Sequence, residues 1–194
     1  MATTATAFDT GNTTTIAKVG EPAPDFTMAS TRNIDTLNEP VRLEDYRGKW
    51  LIMLFYPLDF TFVCPTELTA FSDHIEDFEG AGAEIIGIST DSVHSHRAWL
   101  RTSREQNGVE GLKYPLASDI TGEVARKYGV LIEKEGIALR GLFIIDPEGV
   151  LQYSVIHSLN VGRSVEETVR VLNALQTGGL CAAEWQPGQE NLHV

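Results

Sequence analysis

The sequence contains little cysteine, few basic residues and no long apolar run. Its 2 cysteines, Cys64 and Cys181, are too few for a disulfide scaffold or a four-thiolate zinc site. With 15 Lys and Arg against 27 Asp and Glu, the net charge is −12, which argues against a protein that binds a phosphate backbone. No apolar run reaches the roughly 18 to 20 residues that span a bilayer. We therefore expect neither a nucleic acid nor a membrane as a partner.

The N-terminal segment is rich in Thr and Ala and carries no targeting pattern. It lacks the positive start and apolar centre of a secretory signal, and it contains Asp9 but no Arg, unlike a transit peptide. From this composition we predict a disordered tail over residues 1–17 and a cytoplasmic protein. The remaining length suffices for one domain with a full core, and 42% hydrophobic with 22% charged residues is typical of a globular protein.

Predicted strands and helices alternate along the chain, which favours an α/β fold. Extended segments are predicted over residues 50–56, 83–90, 114–118, 137–145 and 150–156, and helices after Pro65, over 92–106 and 121–128, and after Ser164. Ser164 followed by Glu167 forms the capping-box pattern. The turn signal at residues 146–149 joins the last two strands as an antiparallel pair. These elements predict a mixed sheet covered by helices on both faces.

Cys64 lies where a buried strand ends and a helix begins. The apolar run over residues 50–56 predicts the strand, and Pro65 suits the first position of the helix that follows. Apolar residues then recur at helical spacing, at Leu68, Phe71, Ile75 and Phe78. The free N–H groups and positive partial charge of a helix N-terminus favour the thiolate over the thiol. The sequence therefore predicts that Cys64 is a nucleophile.

The residues around Cys64 exclude a dithiol oxidoreductase, because Glu67 stands where a Cys-x-x-Cys motif has its second thiol. Cys181 is the one other thiol of the chain, and two unrelated reduced thiols are the alternative to a functional pair. Glu67 either complements the helix dipole or orients an arginine. Thr61 offers a hydroxyl that can donate and accept hydrogen bonds. The segment 94–96, His-Ser-His, is a poor metal site because its two histidines point to different faces of a helix.

Six stretches of the chain match, in order and spacing, the motifs of one known family. They are 55–67 (FYPLDFTFVCPTE), 89–92 (STDS), 140–146 (RGLFIID), 161–167 (VGRSVEE), 178–181 (GGLC) and 185–188 (WQPG). On these motifs the chain, from about Ala17 to Gln189, resembles the typical two-cysteine peroxiredoxins, the family of alkyl hydroperoxide reductase C and thiol-specific antioxidant proteins. The resemblance implies a thioredoxin-like fold, with a central mixed sheet flanked by helices, an N-terminal hairpin and a C-terminal tail. The domain would cover residues 18–176, and residues 177–194 would form an arm.

The resemblance implies a role for each residue of the first motif. Cys64 would be the peroxidatic cysteine, which attacks a peroxide oxygen and becomes a sulfenic acid. Thr61 would hydrogen-bond the peroxide and the thiolate, and Pro57 would shield the sulfenate from solvent. Arg140 would stabilise the thiolate and polarise the O–O bond, while Glu67 would hold an arginine in place. The activity implied is reduction of hydrogen peroxide and organic hydroperoxides, in antioxidant defence.

The resemblance also implies the second half of the reaction. Cys181 would be the resolving cysteine and would condense with the Cys64 sulfenate of a partner subunit. A thioredoxin or a flavoprotein disulfide reductase would then reduce the intersubunit disulfide. The expected assembly is a homodimer that forms a decamer, without a cofactor or a metal. Arg163 is a secondary candidate for the charge network around Cys64.

Two departures from the family pattern bear on resistance to overoxidation. Sensitive members carry Gly-Gly-Leu-Gly after the long helix and a C-terminal Tyr-Phe element, whereas this chain has GVEG at 108–111 and no Tyr or Phe after Tyr153. We therefore predict a robust enzyme, whose local unfolding competes well with sulfinic acid formation. Ala182 replaces the proline common after the resolving cysteine, which leaves the rate of resolution open.

Two other functions remain open on the sequence. In a one-cysteine peroxidase, Cys181 would be idle and an external thiol would resolve Cys64. In an oligomeric chaperone or redox-relay protein, the chain would hold clients or pass oxidation to a partner. The sequence shows no Met-rich surface or charged low-complexity arm specific to a holding function.

Overall fold

Most of the strands in the computed structural model, which describes residues 16–193, belong to one central sheet. The strands are β1 (Thr27–Ser30), β2 (Val41–Arg42), β3 (Trp50–Phe55), β4 (Ala83–Ser89), β5 (Leu116–Ser118), β6 (Leu131–Ile132), β7 (Ile137–Ala138), β8 (Arg140–Ile145) and β9 (Leu151–His157). The helices are α1 (Val63–Asp73), α2 (Ile75–Gly80), α3 (Val93–Leu100), α4 (Glu123–Lys127) and α5 (Val165–Gln176), with 3₁₀ turns at Leu43–Tyr46 and Arg104–Gln106.

The central sheet is mixed and has the strand order β2-β1-β5-β4-β3-β8-β9. Strands β3, β4 and β5 run parallel, whereas β8 is antiparallel to β3 and β9 is antiparallel to β8. At the other edge, β1 is antiparallel to both β2 and β5, and β1 with β2 is the antiparallel pair expected near the N-terminus. The mixed sheet predicted from the sequence is therefore confirmed, and β3 lies near its centre with a neighbour on each side.

Helices cover both faces of the sheet, and β3 contributes to the core on each. Alternate side chains of a strand point to opposite faces. Leu51 and Met53 pack into a cluster with residues of α4, whereas Ile52 and Leu54 pack into a second cluster with residues of α1, α3 and α5. A strand buried on both faces has no polar side, which explains why residues 50–56 read as a continuous apolar run.

Three predicted helices are shorter than the sequence indicates, and the one predicted over residues 121–128 covers only Glu123–Lys127. The apolar stripe from Leu68 to Phe78 spans two helices, because the helical conformation is interrupted at His74. The rings of Phe71 and Phe78 still stack, with centroids 5.7 Å apart, so the helical spacing continues through the break.

The helix predicted over residues 92–106 ends at Leu100. Beyond it the chain turns back onto Trp99, whose carbonyl accepts from the Val109 N–H at 3.3 Å. The Trp99 indole N–H donates to the Asn107 carbonyl at 2.7 Å. Asn107 itself is in the left-handed region, at φ 58°. Tertiary contacts therefore end this helix, and no local sequence signal marks its last residue.

The last helix, α5, begins where the capping pattern predicts. The Ser164 hydroxyl accepts from the Glu167 N–H at 3.1 Å, while the Glu167 carboxylate pairs with Arg170. Only the serine half of the capping box is therefore formed. We expect Ser164→Ala to lower the free energy of unfolding by about 1 kcal/mol, because it leaves an N–H of the first turn unpaired. Urea denaturation measures the change. Ser154→Ala, at an exposed position of β9, is the control, and equal losses in the two variants would contradict the cap.

Among residues 16–193, every helix is too short or too polar to span a bilayer. The predicted disordered tail, residues 1–17, lies outside the described residues except for Ile16 and Ala17. Ala17 packs partly against the core, and its N–H donates to the Lys127 carbonyl at 2.8 Å.

Candidate active site

Cys64 is buried at the start of α1, directly after the loop that follows β3. Helix α1 begins at Val63, so Cys64 is its second residue and Pro65 its third. The sequence analysis placed the helix start later, with Pro65 at the first position. Proline is accommodated at the third position because the N–H groups of the first turn need no acceptor within the helix. The sulfur therefore lies within the first turn, close to the helix N-terminus.

Arg140, the first residue of β8, places a cationic donor against this sulfur. Its Nη1 lies 3.3 Å from Cys64 Sγ and also donates to a Glu67 carboxylate oxygen. Its Nε donates to the Leu159 carbonyl at 2.7 Å, which fixes the plane of the guanidinium. Because the Arg140 side chain is only 3% exposed, water screens its attraction to the sulfur very little. The arrangement places a fixed positive charge and a hydrogen-bond donor directly against the sulfur.

Glu67 lies between two arginines and bonds both of them. One carboxylate oxygen accepts from Arg140, and the other accepts from the Arg163 Nε and the Arg163 backbone N–H, each at 2.8 Å. The Arg163 Nη1 donates to the carbonyls of Phe55 and Gly141, at 2.9 and 2.6 Å. One carboxylate between two guanidinium groups leaves an excess positive charge beside the Cys64 sulfur. Of the two roles considered for Glu67, orienting an arginine matches this geometry.

A buried tyrosine, absent from the sequence-based candidates, lies near this cluster and bonds α1. The Tyr114 hydroxyl donates to the Leu68 carbonyl at 2.8 Å. Burial raises the pKa of Tyr114 well above its usual range, although the nearby Arg163 opposes the shift. The hydroxyl therefore stays protonated and remains a donor to the helix.

Pro57 and Thr61 lie on the loop between β3 and α1. Pro57 is buried, whereas Thr61 is half-buried and its hydroxyl donates to the Leu58 carbonyl at 2.9 Å. Within residues 16–193, the hydrogen-bond partner of the Cys64 sulfur is Arg140, and Thr61 is not one. The structure thus brings Glu67, Arg140 and Arg163 together around Cys64, and leaves the Thr61 hydroxyl turned to its own loop.

Cys181 lies beyond the end of α5 and outside the Cys64 cluster. Both cysteines are free thiols. The Cys181 sulfur contacts Thr177 Oγ1 at 3.5 Å, and the Ala174 carbonyl and Asn191 Oδ1 at 3.6 Å each. It is partly buried by these neighbours. Cys181 is therefore held by the end of α5 and by the C-terminal arm in this reduced state.

A second buried polar cluster near the loop was also missed by sequence reasoning. Asp59 bonds Tyr56 and His96, and all three side chains are buried. One signal could have found it, because an acidic residue within the otherwise apolar run from Phe55 to Val63 requires a buried partner. The sequence analysis weighed His96 as a metal ligand and did not consider it as that partner.

The fold and the site together define a thiol-based oxidoreductase. A single buried sulfur lies at a helix N-terminus on an α/β sheet, faces a guanidinium, and has no second thiol at dithiol spacing. The family model described as the AhpC/TSA family matches residues 19–154. The chain belongs to the AhpC/TSA family, and it is a thiol-dependent peroxidase of the two-cysteine peroxiredoxin type.

Individual relatives agree with this assignment. A putative peroxiredoxin in the rubredoxin operon of Clostridium pasteurianum is 56% identical over 174 residues, covering 90% of this chain and 98% of the relative. The reduced crystal structure of a Plasmodium vivax 2-Cys peroxiredoxin is similar with a TM-score of 0.85 at 36% identity, covering 89% of this chain and 91% of that one. Thioredoxin peroxidase I of Plasmodium yoelii is similar with a TM-score of 0.76 at 38% identity, covering 88% and 100%. The thioredoxin-like fold and the peroxidase activity expected from the sequence are thereby confirmed.

Proposed function

We propose that Cys64 is the peroxidatic cysteine of this peroxidase. The thiolate attacks one oxygen of the hydroperoxide, an S–O bond forms and the O–O bond breaks. The sulfur loses two electrons and becomes a sulfenic acid, while the other oxygen leaves as water or an alcohol after taking a proton. The observation that carries this proposal is the 3.3 Å contact between Arg140 Nη1 and Cys64 Sγ, which supplies the positive charge and the donor that the reaction needs.

The other residues of the site act through or beside this pair. Arg140 stabilises the thiolate and the charge that develops on the leaving oxygen, and Glu67 holds Arg140 in position. Arg163 bonds the second oxygen of Glu67 and does not touch the sulfur, so it acts on Cys64 only through Glu67 and Arg140. Thr61 donates to or accepts from the peroxide, after its hydroxyl turns from the Leu58 carbonyl. Pro57, buried on the loop before α1, limits the access of solvent to the sulfenate.

We propose that Cys181 of a partner subunit resolves the sulfenic acid. Its thiol attacks the Cys64 sulfur, a disulfide forms and water leaves, so the two thiols together supply the two electrons for one peroxide. A dithiol donor then reduces the disulfide. The Plasmodium yoelii relative is a thioredoxin peroxidase, which supports a thioredoxin over a flavoprotein as that donor. Since Cys181 is held within its own arm, the arm must release it before the disulfide can form.

Stoichiometric peroxide should convert the chain to a covalent dimer on a non-reducing gel, because each Cys64 pairs with a Cys181 of another subunit. Cys181→Ser should react with the first peroxide at an unchanged rate and form no dimer band. A native chain that turns over peroxide with thioredoxin but never forms the band would instead support the one-cysteine peroxidase. Mass spectrometry of the peptide pair in the native dimer identifies the linked cysteines.

We further propose that the reduced chain assembles beyond the dimer, into a decamer. Three apolar side chains of the loop and of the start of α1 are exposed, Leu58, Phe60 and Phe62, and Phe62 is 82% exposed. Such a patch on a soluble surface favours association. Sedimentation velocity of reduced and oxidised protein measures the assembly.

We place the protein in the cytoplasm, since both thiols are free and the cycle depends on a reductant. Cell fractionation tests this location.

A further inference from the structure

The C-terminal arm is folded mostly on itself. The Leu192 N–H donates to the Leu180 carbonyl at 2.8 Å, and this isolated antiparallel bridge closes a loop over residues 180–192, here called the arm loop. Inside it, the Trp185 indole N–H donates to the Gln189 carbonyl at 3.1 Å. Both leucines are more than half exposed. The arm loop therefore keeps its shape with little packing against the core.

Within the described part of the chain, three side-chain contacts join the arm loop to α5 and its C-terminal cap residue. Two of them involve the Cys181 sulfur, which lies 3.6 Å from the Ala174 carbonyl and 3.5 Å from the Thr177 hydroxyl. Both are weak, because sulfur is a poor donor and a poor acceptor. In the third, Arg170 Nη1 donates to the Trp185 carbonyl at 3.0 Å. A charged donor makes this bond the strongest polar attachment of the arm loop.

Glu167, one turn earlier on α5, fixes the Arg170 guanidinium for this contact. Arg170 Nε and Nη2 donate to the two Glu167 carboxylate oxygens at 2.6 and 2.7 Å. Hydrogen bonding to Glu167 raises the pKa of Arg170 above its usual value, so the side chain stays charged. This bidentate pair leaves Nη1 for the Trp185 carbonyl. The side chain is 22% exposed, so water screens the bond only in part.

The arm loop meets α5 closely at Trp185, which is 4% exposed. Just beyond it, a cavity of about 550 Å³ separates residues 186–187 of the arm from Val165 and Val169 of α5. The residue before it, Glu184, has φ 59°, a left-handed conformation that non-glycine residues rarely adopt. A strained residue persists only where its surroundings over-determine it. The arm loop is thus attached mainly at one residue, next to a strained one.

We propose that Arg170 is a positioning residue for the resolution step, because its bond to the Trp185 carbonyl sets how fast Cys181 is released. The inference rests on the proposed roles of Cys64 and Cys181. When the bond breaks, the arm loop leaves α5 and carries Cys181 to the Cys64 sulfenic acid of a partner subunit. The thiol attacks that sulfur, an S–S bond forms, the S–O bond breaks, and the hydroxyl leaves as water with the thiol proton. Arg170 exchanges no electron or proton in this step and acts only on the population of released arm.

Arg170→Met tests the attachment in the reduced protein, before any peroxide is added. Met keeps an unbranched, helix-forming side chain but has no donor for the Trp185 carbonyl. Amide hydrogen exchange in residues 180–192 should become about three- to tenfold faster, because a charged hydrogen bond no longer opposes opening. Arg170→Lys keeps a charged donor and should restore most of the native protection. Native exchange rates in Arg170→Met would overturn the proposal.

The same variants test the resolution step. Quenched samples on non-reducing gels give the rate constant for formation of the Cys64–Cys181 dimer, measured where it no longer depends on peroxide concentration. It should rise about three- to tenfold in Arg170→Met and return toward the native value in Arg170→Lys. Glu167→Gln holds Arg170 less firmly and should act in the same direction with a smaller change, so it tests the attachment if Arg170→Met folds poorly. An unchanged rate constant in Arg170→Met would mean that the bond does not control release.

Two controls separate the attachment from a general loss of charge or stability. Arg126→Met makes the same chemical change on α4, where Arg126 forms a similar bidentate pair with Glu133. Val41→Ala lowers the unfolding temperature from the core cluster on the sheet face opposite α5. Both controls should leave the exchange of the arm loop and the dimer-forming rate constant at their native values. A control that matched Arg170→Met would contradict the proposal.

The two measurements also distinguish two kinds of failure. If native protein forms no Cys64–Cys181 dimer and no sulfenic acid at Cys64, the proposed function fails and the positioning role falls with it. If the native dimer forms normally but Arg170→Met matches native protein in exchange and in rate constant, the proposed function stands and the positioning role is wrong.

Discussion

Replacing Cys64 with serine should abolish peroxide turnover, lowering its rate by more than about a thousandfold. A serine hydroxyl has nearly the size of the thiol but is not ionised at neutral pH, so the Arg140 guanidinium has no anion to stabilise. It also has no accessible oxidation step equivalent to a sulfenic acid. Consumption of hydrogen peroxide, coupled to thioredoxin and its reductase, measures the loss.

Cys181→Ser is the matched control, since it makes the same chemical change at the other thiol of the chain. It should keep a full first turnover in a stopped-flow experiment and lose the later turnovers that need the disulfide. If Cys181→Ser lost the first turnover while Cys64→Ser kept it, the two roles would have to be exchanged. If both variants kept full turnover, neither cysteine would carry the reaction.

Arg140→Lys should lower the rate constant for reaction with peroxide by about a hundredfold or more. Lysine keeps the charge, but a single ammonium cannot reach the Cys64 sulfur, the Glu67 carboxylate and the Leu159 carbonyl as the planar guanidinium does. The thiolate then loses a fixed donor, and the leaving oxygen loses the charge aimed at it. Competition against a haem peroxidase for limiting peroxide measures the rate constant directly.

Arg163→Lys provides the comparison, because Arg163 bonds the same carboxylate without contacting the sulfur. It donates to two backbone carbonyls near the end of β3 and in β8, so its loss should lower stability more than the rate constant. We expect the peroxide reaction of this variant to stay within about tenfold of the native rate. Equal losses in the two variants would mean that the charge of the cluster matters and the contact with the sulfur does not.

Much of the fold could be predicted because its signals are local. The apolar run that forms β3, the turn between β8 and β9, and the cap at Ser164 each follow from residues a few positions apart. The family motifs then indicated the remaining order, which the comparisons confirm. Element ends were less predictable, as at Leu100, because contacts with residues further along the chain end the helix.

The sequence by itself determined that Cys64 has no dithiol partner and lies at a helix start, and that Arg140 and Glu67 are candidates to act with it. Short spacing suffices for the helix start, the missing dithiol partner and Glu67, whereas Arg140 is a candidate because its motif resembles that of the family. Only the tertiary structure decided which donor meets the sulfur, because Arg140 lies 76 positions from Cys64 along the chain and reaches it only when β8 pairs with β3.

The tertiary structure likewise decided the surroundings of His96. A histidine two residues after another on a helix can be exposed, buried or a metal ligand, and its sequence neighbours do not distinguish these. The fold places one ring nitrogen against Asp59, 37 positions earlier, and the other against the Ala117 carbonyl, 21 positions later. Such burial between the loop before Cys64 and β5 is a property of packing, which neighbouring residues in the sequence do not encode.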